Sequence, residues 1–327
     1  SKKELSMDII SLYYFKELTQ DLNMTKTAAR LFISQQTLSN HILRLETEFK
    51  TQLFYRKPKL MLTDSGRHML MFAKTVLTER KNFEDKLADI ETEGRGIIRF
   101  GASYLRSSSC LPHVLPTFTT QFPKVSIHLT DSTSAKLQQL LLDGELDLAL
   151  SVLNDHLPSL STTLILADQI YLCISDQLLQ KYYGAQAEQL KEKSVAGARV
   201  ADFKELPYFV LSTPNILGIT IAKCFEEADY APYIYFSTTS TGLAPQICTN
   251  GLAACFLSQM NLNNNPALLE QNVNIFPLLY EDKPVYHNLY LAHHAKQYLT
   301  KYMLYFMELL KEYFSSFNEI NLTRMIK

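Results

Sequence analysis

Residues 34–40, Ser-Gln-Gln-Thr-Leu-Ser-Asn, gather more hydrogen-bonding side chains than the start of a helix uses. One hydroxyl, that of Ser34, is enough to accept from the first-turn N–H groups. Gln35, Gln36, Thr37, Ser39 and Asn40 are left over. The Gln and Asn amides offer paired donor and acceptor groups that match adenine edges, Ser and Thr bond tolerantly, and a DNA major groove is wide enough to admit a helix. Leu38, Ile42, Leu45 and Phe49 recur at steps of four, three and four, which predicts one buried stripe and turns the polar groups outward. A solvated helix start has the same composition, so the neighbouring elements must decide.

Those elements favour recognition of a polyanion. "MDIISLYYFKELTQDL" spaces Ile9/Ile10, Tyr13/Tyr14 and Leu18 as a helix, and "TKTAARLF" adds a second, with Thr25 as N-cap and Ala28 and Ala29 small enough for close packing. "LFYRKPKLMLTDSG" then predicts two short strands around the basic turn Arg56-Lys57-Pro58-Lys59. Residues 1–60 hold ten Lys/Arg against six Asp/Glu, leaving 22 against 27 for the rest, so a basic front end sits on an acidic body. In a helix-turn-helix the first turns of the second helix contact bases.

The chain has 327 residues, 46 % hydrophobic and 20 % charged, which fits a globular protein of two or three domains. No apolar run reaches the length of a membrane span, and the opening residues show no signal-peptide pattern. Five cysteines without a C-x-x-C pair read as reduced thiols in a cytoplasm. From residue 64 to 93 one long helix is expected, with Met69, Ala73, Val76, Arg80, Phe83, Leu87 and Ile90 alternating steps of four and three; a second copy of the chain is the simplest cover for such a seam. After "EGRG" the pattern alternates strand and helix, as a parallel α/β sheet requires.

Enzymatic motifs are missing. There is no G-x-S-x-G, G-x-x-x-x-G-K or G-x-G-x-x-G. His287, His293 and His294 invite a metal reading, but neighbouring strand residues face opposite ways, so His293 and His294 do not chelate together. Glu145 and Asp147 in "GELDLAL" read as solvated loop charges. Cys248 and Cys255, seven apart in apolar surroundings, read as inert.

Residues 28–66 resemble the winged helix-turn-helix of LysR-type transcriptional regulators. S-Q-x-x-L-S-x-x-I-x-x-L-E begins at Ser34, L-F-x-R at Leu53 and L-T-x-x-G at Leu62. "GIIRFGAS", "LPTFTTQFPKVSIHL" and "GELDLALS" are similar to the first strand, helix and third strand of that family's effector domain, so the resemblance spans essentially the whole chain. It implies an α/β protein with a winged helix-turn-helix at residues 1–63, a linker (dimerisation) helix at 64–94 and a two-lobed, periplasmic-binding-protein-like effector domain at 95–327. Lobe I would take 95–168 and 270–327, and lobe II 169–269. It further implies a homodimer or homotetramer on double-stranded DNA, with no cofactor, metal or membrane.

By position, the resemblance assigns major-groove contact to Gln35, Gln36, Thr37, Ser39 and Asn40, and the wing arginine to Arg56. Thr25, Thr27 and Lys57 are phosphate candidates by chemistry and placement, and Ser34 and Arg44 complete the expected DNA face. The family usually has Pro where Gln36 stands and often Arg where Asn40 stands. A small-molecule cleft is implied between the lobes, formed by Ala102, Ser103, Tyr104, Thr133, Ser134, Ser151 and Val152 on one side. Ser212, Thr213, Pro214, Asn215, Thr239 and Ser240 would form the other. These hydroxyls sit where strands end and helices begin, which favours a small carboxylate, although helix capping uses the same residue types. No arginine clearly lines the cleft, Arg106 being merely close in sequence, so a dianion is disfavoured. The alternative is a solute-binding or enzymatic α/β protein with a structural helical front end.

Overall fold

The computed structural model describes residues 8–91, 95–152, 157–212, 215–265 and 273–319. Two compact units divide the chain, one of residues 1–93 with 296–300 and one of 94–295 with 301–327.

The first unit holds α1 (Ile9–Asp21), α2 (Met24–Arg30), α3 (Gln35–Glu48), β1 (Phe54–Tyr55), β2 (Met61–Leu62) and α4 (Asp64–Glu91). Each of the first three helices starts on a side-chain cap: Asp8 accepts from Ser11 N, Asn23 from Lys26 N and Ser34 from Thr37 N. The α1 stripe differs from the expected one. Leu12, Phe15 and Leu18 are buried, whereas Ile9, Ile10 and Tyr13 are exposed. On α3 the stripe stops at Leu45; Phe49, its C-cap, is exposed, and so is Ala29 on α2. Gly66 of the L-T-x-x-G motif has a direct reason, since a Cβ there would lie 2.1 Å from the Leu53 carbonyl oxygen. The Thr63 hydroxyl accepts from Gly66 N at 2.9 Å and donates to Gln52 O at 2.7 Å, fixing the entry to α4.

The α4 seam divides in two. Met69 and Ala73 are buried in this unit's core, while Phe83 and Ile90 are 61 % and 80 % exposed. Segment 296–300, expected in the effector domain, groups with α4 because the Asn82 amide donates to Lys296 O and accepts from Tyr298 N, both at 2.8 Å.

The second unit is built on a mixed sheet in the order β10 (Val273–Pro277), β6 (Leu160–Ser175), β13 (Tyr286–His294), β5 (Leu148–Val152), β3 (Gly96–Ala102) and β4 (Val125–Asp131), with β9 (Cys255–Ser258) also on β6. β3 pairs in parallel with β4 and β5, and α5 (Tyr104–Gln121) and α6 (Ser134–Leu142) connect them. The other pairings in this sheet are antiparallel, so the expected all-parallel sheet is corrected. The reason is β6, one 16-residue strand that serves both lobes. Its first part pairs with β13, its last with β9 and β10.

Lobe II adds α7 (Asp176–Tyr183), α8 (Ala187–Ser194), β7 (Pro207–Leu211), α9 (Ile216–Glu227), β8 (Tyr233–Thr238), α10 (Ala244–Thr249) and α11 (Gln259–Asn263). Ile275, Phe276, Leu278 and Val285 belong to its core, so this lobe continues to about residue 285 rather than ending at 269. The ribbon β11 (Leu279–Tyr280) and β12 (Lys283–Pro284) lies within that continuation. α12 (Lys301–Ser315) returns to lobe I, where Phe306 meets Phe100 and Phe118 edge-on, both at 5.3 Å. All five cysteines are buried and free, and burial pushes the Cys173 and Cys255 thiols well above their ordinary range.

Candidate nucleic-acid face and effector cleft

With Leu38, Ile42 and Leu45 turned into the core, α3 exposes Gln35, Gln36, Thr37, Asn40 and Arg44 and half-exposes Ser39. Their partners separate fixed groups from free ones. The Ser34 hydroxyl accepts from Thr37 N at 3.0 Å and bonds the Thr37 hydroxyl at 2.8 Å, so this pair holds the helix start. Gln35 Oε1 accepts from the Thr25 hydroxyl at 3.0 Å, which leaves its NH2 for a ligand. Arg44 pairs with Asp8 at 3.5 Å. Gln36 and Asn40 carry no internal side-chain bond among the described residues, so their full amide pairs face outward.

Thr27 is corrected. It is fully buried and its hydroxyl donates to Asp21 at 3.1 Å, which removes it from any phosphate. Asp21 also binds Lys26 at 2.9 Å and Arg30 at 2.8 Å; these partners, Lys26 first, hold its carboxyl down at about 2 despite partial burial. The charges of Lys26 and Arg30 are therefore largely spent inside the unit. Lys57 and Lys59 of the wing are exposed and have no acidic partner among the described residues, so the uncompensated charge sits there. Arg56 is tied to α3, since its guanidinium meets Glu46 at 3.0 Å while the other Glu46 oxygen accepts from Leu53 N at 2.9 Å.

The second unit contains a cleft of about 900 Å³. Ser103, Tyr104, Thr133, Ser134, Val152, Asn215, Thr239 and Ser240 line it. Three expected residues stand apart. Ala102 and Ser151 are fully buried in strands, with the Ser151 hydroxyl directed at Val152 O (3.4 Å), and Ser212 is held through its N–H to Thr238 O at 2.8 Å. Thr213 and Pro214 lie outside the described residues. Capping accounts for part of the set: Thr133 accepts from Lys136 N, and Asn215 from Leu217 N and Gly218 N. Gly218 is required there, because a Cβ would sit 2.1 Å from Leu211 O.

The expectation about arginine is overturned. Arg106 lines the cleft, one helical turn beyond Ser103, with Asp168 of β6 and His287 of β13, which are direct cross-strand partners. Burial pushes Arg106 down to about 10 against the opposing pull of Asp168. Burial raises Asp168 to about 6, although Met260 N, Ser258 and Arg106 stabilise its charge. His287 is pushed down to about 4 by burial and by Arg106, so its imidazole stays neutral, with Nε2 at 3.2 Å from the Thr220 hydroxyl. At the mouth, Asp131 Oδ1 accepts from Tyr104 N at 3.0 Å and so occupies the start of α5. The three-residue step from Ser103 to Arg106 was a readable sign; the Asp168–His287 pairing depends on strand register and was not. Among the described residues no group of three His, Cys, Asp or Glu could hold a metal ion.

A side-chain-capped polar helix beside a basic wing, followed by a domain that encloses a cleft, is a winged helix-turn-helix joined to a ligand-binding fold. The chain belongs to the LysR family: the family model for the LysR substrate binding domain matches residues 91–315, and that for the bacterial regulatory helix-turn-helix protein, lysR family, matches 9–67. It is 37 % identical over 184 residues to the HTH-type transcriptional activator IlvY of Haemophilus influenzae, covering 54 % of this chain and 63 % of that protein. It is 23 % identical over 308 residues to the HTH-type transcriptional regulator CysB of the same species, covering 92 % and 89 %. The match spans 63 % of IlvY, and 42 % of the Escherichia coli regulator cbl, to which the chain is 33 % identical over 135 residues. A full-length OxyR variant from Pseudomonas aeruginosa shares the fold with a TM-score of 0.62 at 18 % identity, over 97 % of both chains. Full-length CbnR complexed with its target DNA does so at 0.51 and 19 %, over 94 % of this chain and all of that one.

Proposed function

We propose that this protein is a DNA-binding transcriptional regulator that reads an interrupted dyad near promoters. α3 enters the major groove, with Gln36, Asn40 and the free amide of Gln35 at base edges, while Lys57 and the wing meet phosphates. The single observation behind this reading is the outward polar face of α3, on which the Gln36 and Asn40 amides make no internal bond among the described residues. Phosphate neutralisation supplies most of the affinity and makes it fall steeply with salt. The exposed Phe83, Leu87 and Ile90 on α4 support a homodimer, and the exposed edge β8 supplies a second face for a tetramer. A small carboxylate in the cleft acts as effector, working through whatever difference in affinity it has for two arrangements of the protein. The protein acts in the cytoplasm; among the described residues no helix is long and apolar enough to cross a membrane.

Footprinting on DNA upstream of the protein's own gene tests this reading. Two protected half-sites about one helical turn or a multiple apart are expected. Uniform protection, or none at concentrations that shift the probe, contradicts it.

A further inference from the structure

Taking the cleft as the effector site, we infer that its ligand is an organic acid with one carboxylate, held by the Arg106 guanidinium together with the Ser134 hydroxyl, and with an apolar body.

The anion anchor follows from what Arg106 lacks. Its side chain is half-buried in the cleft wall, its one hydrogen bond among the described residues is a long 3.4 Å contact to Ser134 Oγ, and no carboxylate among them reaches it at ion-pair distance. A guanidinium has five N–H donors in a planar fork, and most of those of Arg106 have no protein acceptor among the described residues where the side chain lines the cleft. A carboxylate bound bidentately satisfies two of them at once. At the start of α5 the Tyr104 N–H is already taken by Asp131.

The charge count limits the ligand to one negative charge. Arg106 is the only Lys or Arg among the cleft-lining residues described, and two carboxylates, Asp131 and Asp168, line the same space. His287 adds no positive charge, being held neutral. A second carboxylate on the ligand would face these acids with no cation to meet it, and like charges in a partly desolvated site repel strongly. The rest of the wall is apolar at Val152, Ile170, Leu217, Met260 and Leu289, which suits a hydrocarbon body.

The test uses trifluoroacetate as a probe, followed by 19F line width in the presence of the full chain at constant ionic strength. Wild type should broaden the line, and butyrate should restore it at a lower concentration than succinate or sulfate. Arg106→Gln should weaken probe binding roughly tenfold to a hundredfold, the loss expected for hydrogen bonds to a charged group. If Arg106→Gln melts early, Arg106→Lys serves in its place: it keeps the charge, loses the fork and should fall between. Equal broadening by wild type and the Arg106 variants, no broadening by folded wild type, or succinate or sulfate competing as well as butyrate overturns the inference. The effector reading fails separately, if butyrate occupies the site yet leaves DNA affinity unchanged.

Discussion

The Glu46 side chain joins the recognition helix to the wing, accepting from Leu53 N at 2.9 Å and from the Arg56 guanidinium at 3.0 Å. It is the last residue of the S-Q-x-x-L-S-x-x-I-x-x-L-E pattern, and its carboxylate is nearly buried. Glu46→Ala leaves the Leu53 N–H without its acceptor. It should lower the stability of this unit by roughly 1–3 kcal/mol in denaturant unfolding. A change below a few tenths would show that the wing is held otherwise.

Gln36 and Arg56 should separate base reading from phosphate binding. Gln36→Ala is expected to cost cognate DNA about 1–3 kcal/mol while random duplex is nearly unaffected. Arg56→Ala should weaken both duplexes alike and reduce the salt slope by about one. Equal losses for Gln36→Ala on the two duplexes would count against its readout role.

The apolar end of α4 predicts the assembly. Phe83 and Ile90 are too exposed for residues of their type unless a partner covers them. A Phe83→Asp, Ile90→Asp double variant should sediment as a monomer at concentrations where wild type is at least a dimer. Unchanged sedimentation would place the interface elsewhere.

Two cleft residues set opposite pH dependences. The fold raises Asp168 from 3.8 to about 6, so its contribution is present below 3.8 and lost as pH rises through 6. The fold lowers His287 from 6.5 to about 4, so its contribution is present above 6.5 and lost as pH falls through 4. The groups acting on Asp168 are the Met260 N–H, Ser258, Arg106 and the Gln259 N–H, and its cross-strand partner His287, which titrates at about 4, is common to wild type and the Asp168 variant and cancels in their difference. Measured against Asp168→Asn, wild type should therefore lose up to roughly 3 kcal/mol of relative stability between pH 4 and 7. A difference independent of pH would contradict the raised carboxyl.

How much of this was legible depended on the range of the contacts involved. Ser34 as cap, the outward Gln36 and Asn40, and the burial of Leu38, Ile42 and Leu45 follow from helix periodicity alone. Thr27 misled because it stands in the polar run Thr25-Lys26-Thr27, while its hydroxyl is taken up by Asp21, the last residue of α1. The Arg106–Asp168–His287 wall was illegible for a similar reason: it unites α5 with two antiparallel strands whose register local pattern does not set. The expected lobe boundary at 168/169 falls inside β6, a single strand that continues through both lobes.

The measurement that tests the central claim most directly is fluorescence-anisotropy titration of the full chain with DNA from upstream of its own gene, against random duplex, at two salt concentrations. The account predicts tighter binding to the upstream DNA, weakened steeply by salt on both duplexes. Failure of a folded dimer to bind either duplex would contradict it and return α3 to a solvated helix start.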